Sequence, residues 1–162
     1  MASRRFTLTT TVPARPEQAI DFLADLPRHV GLHPYLVSAE AAGSGVGEDG
    51  PWRDFVVTER PRLWRLRYTM RFPARVVRTS PTSMRSVVRA LPGCHLSAVT
   101  RATGSPGEHT DVTEETTVTA PLLVLGYMLR SARTAHARTF ALLAESLAGP
   151  DAGPAPRPRQ PR

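Results

Sequence analysis

The chain has 162 residues, 41% of them apolar, and a formal charge of +7. That length suffices for one domain with a real core, and the lack of any run of eighteen apolar residues excludes a membrane-spanning helix. A single cysteine, Cys94, excludes an internal disulfide and a cysteine metal cluster. The opening MASRRFTLTT lacks the apolar segment of a secretory signal, so a cytoplasmic location is expected.

Arg5 to Val12 alternates, with Phe6, Leu8, Thr10 and Val12 on one face, and its β-branched content predicts a strand ended by Pro13. Pro16-Glu17-Gln18 opens a short helix that buries Ala19, Ile20, Phe22, Leu23 and Leu26. Pro27 starts a second turn or short helix, closed at His33-Pro34 because the residue before proline is pushed out of the α region. Tyr35 to Ala42 forms the second strand. Gly43, Gly45, Gly47 and Gly50 follow in a polar stretch that predicts a hairpin connection, since neither their spacing nor the next element fits a phosphate cradle.

Trp52 to Glu59 is the third strand, with Arg53, Phe55, Val57 and Glu59 on one face and Trp52, Asp54, Val56 and Thr58 on the other. Leu63 to Thr79 reads as one long fourth strand, kinked or bulged at Pro73. In its first half Trp64, Leu66, Tyr68, Met70 and Phe72 share a dry side opposite Arg65, Arg67, Thr69 and Arg71. Met84 to Ala90, Cys94 to Thr103 and Thr110 to Thr119 follow at hairpin spacing, with turns at Pro92-Gly93 and Gly104-Ser105-Pro106-Gly107.

Pro121 to Leu147 predicts a helix of roughly 40 Å. Pro121 suits the first helical position, and nothing breaks the run before Gly149-Pro150. Leu125, Leu129, Ala132, His136, Phe140, Leu143 and Leu147 recur three and four apart, with Arg130, Arg133 and Arg138 mostly off that stripe. Residues 1–148 therefore make one domain, and the Pro/Arg-rich tail 149–162 is expected to be disordered. The 21 basic residues are all arginine, which suggests a bias towards GC-rich codons as much as arginine chemistry. They form no block able to track phosphates, so nucleic acid is not an expected partner.

The fold class is α+β: a seven-stranded curved antiparallel sheet wrapped around a long C-terminal helix, with two short helices after the first strand. A strongly bent sheet cannot touch a straight rod along its whole length, so a gap lined by both is expected. Persistent gaps are otherwise avoided in cores, because their lining loses dispersion contacts. Concave, mostly apolar pockets with a few polar groups are the usual form of small-molecule sites.

The helix stripe narrows at Ala132 and Ala135, which leaves room at that level. Trp64, Tyr68, Met70 and Phe72 from the sheet, and Leu129, Ala132, His136 and Phe140 from the helix, are the expected lining. His136 is in phase with the stripe, so its ring must find a partner inside. Three roles fit it: a bond to a sheet hydroxyl or carboxylate, ligand contact, or proton transfer. His33 is placed near one mouth, where it anchors a loop or meets a ligand. His95 and Glu114 join Tyr68 in a polar cluster if their rows face inward; an outward, surface placement is preferred. Cys94 reads as a small apolar filler. No nucleophile elbow and no metal-ligand spacing occurs, so neither a metal nor a cofactor is expected, and no catalytic set is identified.

The phrase Val12-Pro13-Ala14 followed by Pro16-Glu17-Gln18-Ala19-Ile20-Asp21-Phe22-Leu23-Ala24-Asp25, and the Thr-rich run Thr110 to Thr119 leading into Pro121 and the helix, resemble the START-like (SRPBCC, helix-grip) superfamily of polyketide cyclase/dehydrase and lipid-transport proteins. The resemblance covers residues 4–148. The His33-Pro34 and Ala135-His136 steps are similar to those of a bacterial branch of that superfamily. It implies binding of a hydrophobic or amphipathic molecule, such as a lipid or polyketide, between sheet and helix. Two alternatives stand beside it. One is a polyketide aromatase/cyclase or dehydratase, with an acyl carrier protein as partner and with His136, Tyr68 and an inward Arg67 or Arg71 as test residues. The other is a protein-interaction module without a ligand.

Overall fold

The computed structural model describes residues 1–63, 66–91, 93–104 and 109–148. The elements are β1 (Ala2–Val12), α1 (Pro16–Ala24), a single 3-10 turn (Leu26–His29), β2 (Leu36–Gly47), β3 (Gly50–Glu59), β4 (Arg62–Leu63), β5 (Leu66–Arg67), β6 (Met70–Ser80), β7 (Ser83–Leu91), β8 (Cys94–Thr103), β9 (Thr110–Ala120) and α2 (Leu122–Ala148). Seven strands form one curved antiparallel sheet in the order β1-β9-β8-β7-β6-β3-β2. The first strand pairs with the last, Ala2 opposite Ala120 through to Val12 opposite Thr110. Register shifts in β2, at the end of β6 and at the end of β7 add local twist and help to bend the sheet.

Local chemistry explains the helix starts. Pro16 occupies the first turn of α1, and the Gln18 side chain accepts the Arg15 amide hydrogen that the turn leaves unpaired. At α2 the amides of Val124 and Leu125 both bond to the Pro121 carbonyl. α1 and the 3-10 turn bridge the sheet between its two edge strands, which is why a short helical pair follows β1.

Two expected boundaries are corrected. The fourth strand is not continuous from Leu63 to Thr79. β4 and β5 pair with each other in a two-stranded sheet, and the main sheet resumes only at Met70, opposite Glu59. β3 ends at Glu59, so a strand begun at Leu63 would have outrun its partner. The glycine stretch is also not a loop. β2 continues to Gly47, and only Glu48-Asp49 turns. The Trp52 indole lies over Gly43, Gly45 and Gly47, and a Cβ at Gly45 would stand 2.7 Å from that ring. Glycine here gives the indole a floor.

The helix α2 packs on β1 and β9. Near its N-terminal half, Leu125 and Ala132 close a cluster with Phe6, Cys94, Val118 and Ala120. Near its C-terminus Phe140, Leu143 and Leu147 join the larger core of α1 and the sheet, including Ile20, Phe55, Phe72 and Val112. Cys94 is a buried filler, as its alternation indicated. No helix among the described residues is long and apolar enough to cross a membrane. The tail and the predicted turn at 105–107 lie outside the described residues.

Candidate functional site

Between α2 and the strands β3, β6 and β7 lies a cavity of about 170 Å³. Its apolar wall comes from Leu23 and Leu26, from Val57, Met70, Phe72, Ala74, Met84, Val88 and Leu96 of the sheet, and from Met128, Ala132, Ala135 and Phe140 of α2. Its polar groups are His29, His33, Glu59, Tyr68, Ser86, Glu114, Tyr127, Ser131, His136 and Thr139. Three of the five histidines in the chain thus face one space.

His136 and Glu114 form a tight pair, with the imidazole Nδ1 2.5 Å from Glu114 Oε1. Thr116 donates to the same oxygen at 3.0 Å and Thr100 to Oε2 at 3.3 Å. Thr100 and Glu114 are direct neighbours across β8 and β9, so the antiparallel register assembles this cradle. Burial pushes the Glu114 carboxyl up, but the His136 charge and the three hydrogen bonds outweigh it and hold the group below its usual range. Burial likewise works against a charged His136, and Glu114 overcomes it, so the imidazole is raised above its ordinary value. Both shifts favour an imidazolium paired with a carboxylate.

Nδ1 is spent on Glu114, which leaves the Nε2–H edge for the cavity. The ring retains 23% side-chain exposure, and Nε2 is not enclosed as an unpartnered atom in the way that His29 Nε2 is. The Phe6 ring meets the imidazole edge-on at 5.9 Å and fixes its tilt.

A second pair sits across from it. His33 Nε2 lies 3.6 Å from Glu59 Oε1, and the His33 ring centroid is 6.3 Å from that of His136. The Tyr35 amide donates to His33 Nδ1 at 3.4 Å, which places the ring proton on Nε2, towards Glu59. Burial, reinforced by the His136 charge and by His29, lowers His33 to about 3. Burial raises the Glu59 carboxyl to about 7 despite the pull of His136. His29 is neutral too, lowered to about 4 by burial although its bond to the Phe22 backbone opposes this. At the rim the Tyr68 and Tyr127 hydroxyls are 3.0 Å apart, and burial followed by that bond raises Tyr68 far above its usual value.

Among the nine expected lining residues, His33, Tyr68, Met70, Phe72, Ala132, His136 and Phe140 are on the cavity wall. Trp64 lies outside the described residues. Leu129 is corrected: it packs with the Phe6, Val118 and Leu125 cluster, because at that level α2 rests on β1 and β9. Glu114 is also corrected. The expected outward placement fails because the whole row Val112, Glu114, Thr116 and Val118 points inward. His95 is on the opposite face from the buried row of β8 and stays out of the cluster. Arg67 and Arg71 are exposed, and Arg71 reaches Glu40 at 3.4 Å. Glu59, His29 and Tyr127 also line the cavity, with no sequence motif to mark them. Glu59 shares a face with Phe55 and Val57, which was the available signal; a 3-10 turn gives His29 none. No group of three metal-ligating side chains occurs among the described residues.

No family model and no curated protein matches the sequence. Solved structures do resemble it. The Zhui aromatase/cyclase of a Streptomyces species superposes with a TM-score of 0.66 at 18% identity, over 90% of this chain and 94% of that one. The di-domain ARO/CYC protein BexL gives 0.68 at 13%, over 91% of this chain, which spans 50% of BexL. A START superfamily protein from Mycobacterium smegmatis gives 0.62 at 11%, over 89% and 99%. With its seven-stranded grip around α2, this chain has the helix-grip fold of the START-like superfamily.

Proposed function

We propose that the protein binds a compact, mostly apolar small molecule carrying an acceptor oxygen, in the cavity between sheet and α2. The observation that supports this most directly is His136, paired with Glu114 at 2.5 Å on a largely apolar wall, which leaves its Nε2–H as the one imidazolium donor edge among the described lining residues. A charged group inside an apolar cavity is costly, and a ligand oxygen recovers a partner for it. A dry cavity of about 150 Å³ takes up benzene, so about 170 Å³ suits one or two rings rather than a long chain. Burying about 200 Å² of such a ligand contributes about 5 kcal/mol before association costs.

Native mass spectrometry of freshly purified full-length protein tests this first, by a retained small apolar compound. Titration with β-naphthol, followed by its fluorescence, gives the quantitative check. Ala132→Phe fills the space between helix and sheet and should abolish binding while the fold persists by circular dichroism. Equal affinity in that variant would refute the site.

The second reading, a cyclase or dehydratase acting in the same cavity on a polyketide held by an acyl carrier protein, is favoured by the two histidine–carboxylate pairs. Two of the similar solved structures carry aromatase/cyclase or ARO/CYC in their names.

A further inference from the structure

Three histidines and two glutamates facing one small apolar space are more than orientation of a ligand requires. Four of them form a row. Glu59 ends β3, His33 lies 3.6 Å from it, and His136 follows at 6.3 Å between ring centroids, backed by Glu114. One end of the row presents an N–H donor to the cavity. The other presents a carboxyl that, among the described residues, receives no hydrogen bond closer than the 3.6 Å approach of His33.

We propose that Glu59 is a general base that removes a proton from the carbon next to a carbonyl of a bound one- or two-ring ketone, while His136 Nε2–H holds the carbonyl oxygen. The inference rests on the cavity being a ligand site. In the step, the α C–H bond breaks and Glu59 takes the proton. The C–H electron pair forms the C=C bond, and the C=O π pair moves to the oxygen as an enolate hydrogen-bonded to His136. Return of the proton to carbon completes an exchange, so no oxidant, reductant or second reactant is needed. His33 is a positioning residue: its Nε2–H faces Glu59 and its Nδ1 is tied to the Tyr35 amide.

The electrostatics suit these roles. A base is most effective when it titrates near the working pH, and burial brings Glu59 to about 7. A donor to a developing enolate should be fixed and charged beforehand, as Glu114 makes His136. The titratable groups around Glu59 are His33 from the segment before β2, Tyr68 from the link after β5, and His136 from α2. His29 and Glu114 lie further along the same wall.

The experiment follows deuterium uptake by β-tetralone in heavy water by proton NMR, beside β-naphthol binding as a mimic of the enolate. Wild-type protein should speed exchange at least a hundredfold over equimolar Glu59→Gln, with a rate that rises with pH through about 7 and then levels. Glu59→Asp should restore part of the rate, and Glu59→Gln should bind β-naphthol within a few-fold of wild type. Naphthol binding with no difference in exchange between wild type and Glu59→Gln overturns this proposal and leaves the cavity reading standing. Exchange that differs but shows no bend near pH 7 overturns Glu59 as the titrating base. A wild type that neither binds naphthol nor accelerates exchange overturns both.

Discussion

The two histidine–carboxylate pairs of the cavity are built from the same residue types and end in opposite charge states. Glu114 sits mid-strand, where Thr100 on the neighbouring strand and Thr116 on its own supply hydroxyl donors, and His136 adds a third. Those donors replace the water lost on burial, so the carboxylate stays ionised and keeps its imidazole protonated. Glu59 sits at a strand end where, among the described residues, it meets only the distant His33 N–H. With no closer described donor in place of its water, its carboxyl rises to about 7, and His33 stays neutral. Burial alone does not decide the charge of a buried pair; the number of donors brought to the carboxylate does.

Breaking the tight pair should have the largest effect. Glu114→Ala leaves a buried imidazolium and two threonine hydroxyls without their acceptor, and should cost roughly 3 to 5 kcal/mol in urea unfolding. The double variant Glu114→Leu with His136→Leu should recover most of that loss, because an apolar pair of similar size removes both buried charges. A single-variant loss below about 1 kcal/mol would contradict the charged assignment.

The loose pair is sharpened by pH. Between pH 6.5 and 4.5 the unfolded chain protonates His29 and His33, which the fold keeps neutral with values of about 4 and 3. Over the same window the fold keeps Glu59 protonated and the unfolded chain does not. His136 is charged in both states there, and Glu114 differs between them only below about 4.5. The net difference is one proton more on the unfolded chain, so stability should fall by about 1.4 kcal/mol per unit as pH drops. Glu59→Gln removes the opposing group and should double that slope. An unchanged slope would mean that Glu59 is ionised in the fold.

The smallest effect belongs to the rim. Tyr127→Phe removes the partner of the Tyr68 hydroxyl and should cost at most about 1 kcal/mol. It should also quicken β-naphthol release, measured by stopped flow, since the 3.0 Å hydroxyl contact ties α2 to the link before β6.

Much of the fold was legible because its signals are local. The alternation of Phe6 to Val12 and of Thr110 to Thr119 marks β1 and β9, and the Leu125 to Leu147 stripe marks α2. His136 could be placed inside from helical phase alone. Its partner could not, because Thr100 and Glu114 are brought together by the register of β8 on β9, and of the three donors Thr116 alone is near Glu114 in sequence. A carboxylate in a threonine-rich strand, beside Glu115, reads as a surface group until those donors are in place. The long fourth strand failed for a similar reason: a clean two-residue period runs through Trp64 to Phe72, yet where a strand joins its sheet depends on where the partner ends. Leu129 shows the converse limit, since phase fixes which side of a helix is covered and not what covers it.

The pairing of β1 with β9 has a consequence for how the chain reaches its native state. Residues 2 and 120 must meet before that edge of the sheet exists, and α2, which lies over both strands, is made later still. A nascent chain leaving the ribosome therefore carries β1 as an unpartnered ribbon until β9 has emerged. Such long-range closure is slow, and a chaperone that shelters the early strands would raise the yield of native protein more than one acting after release.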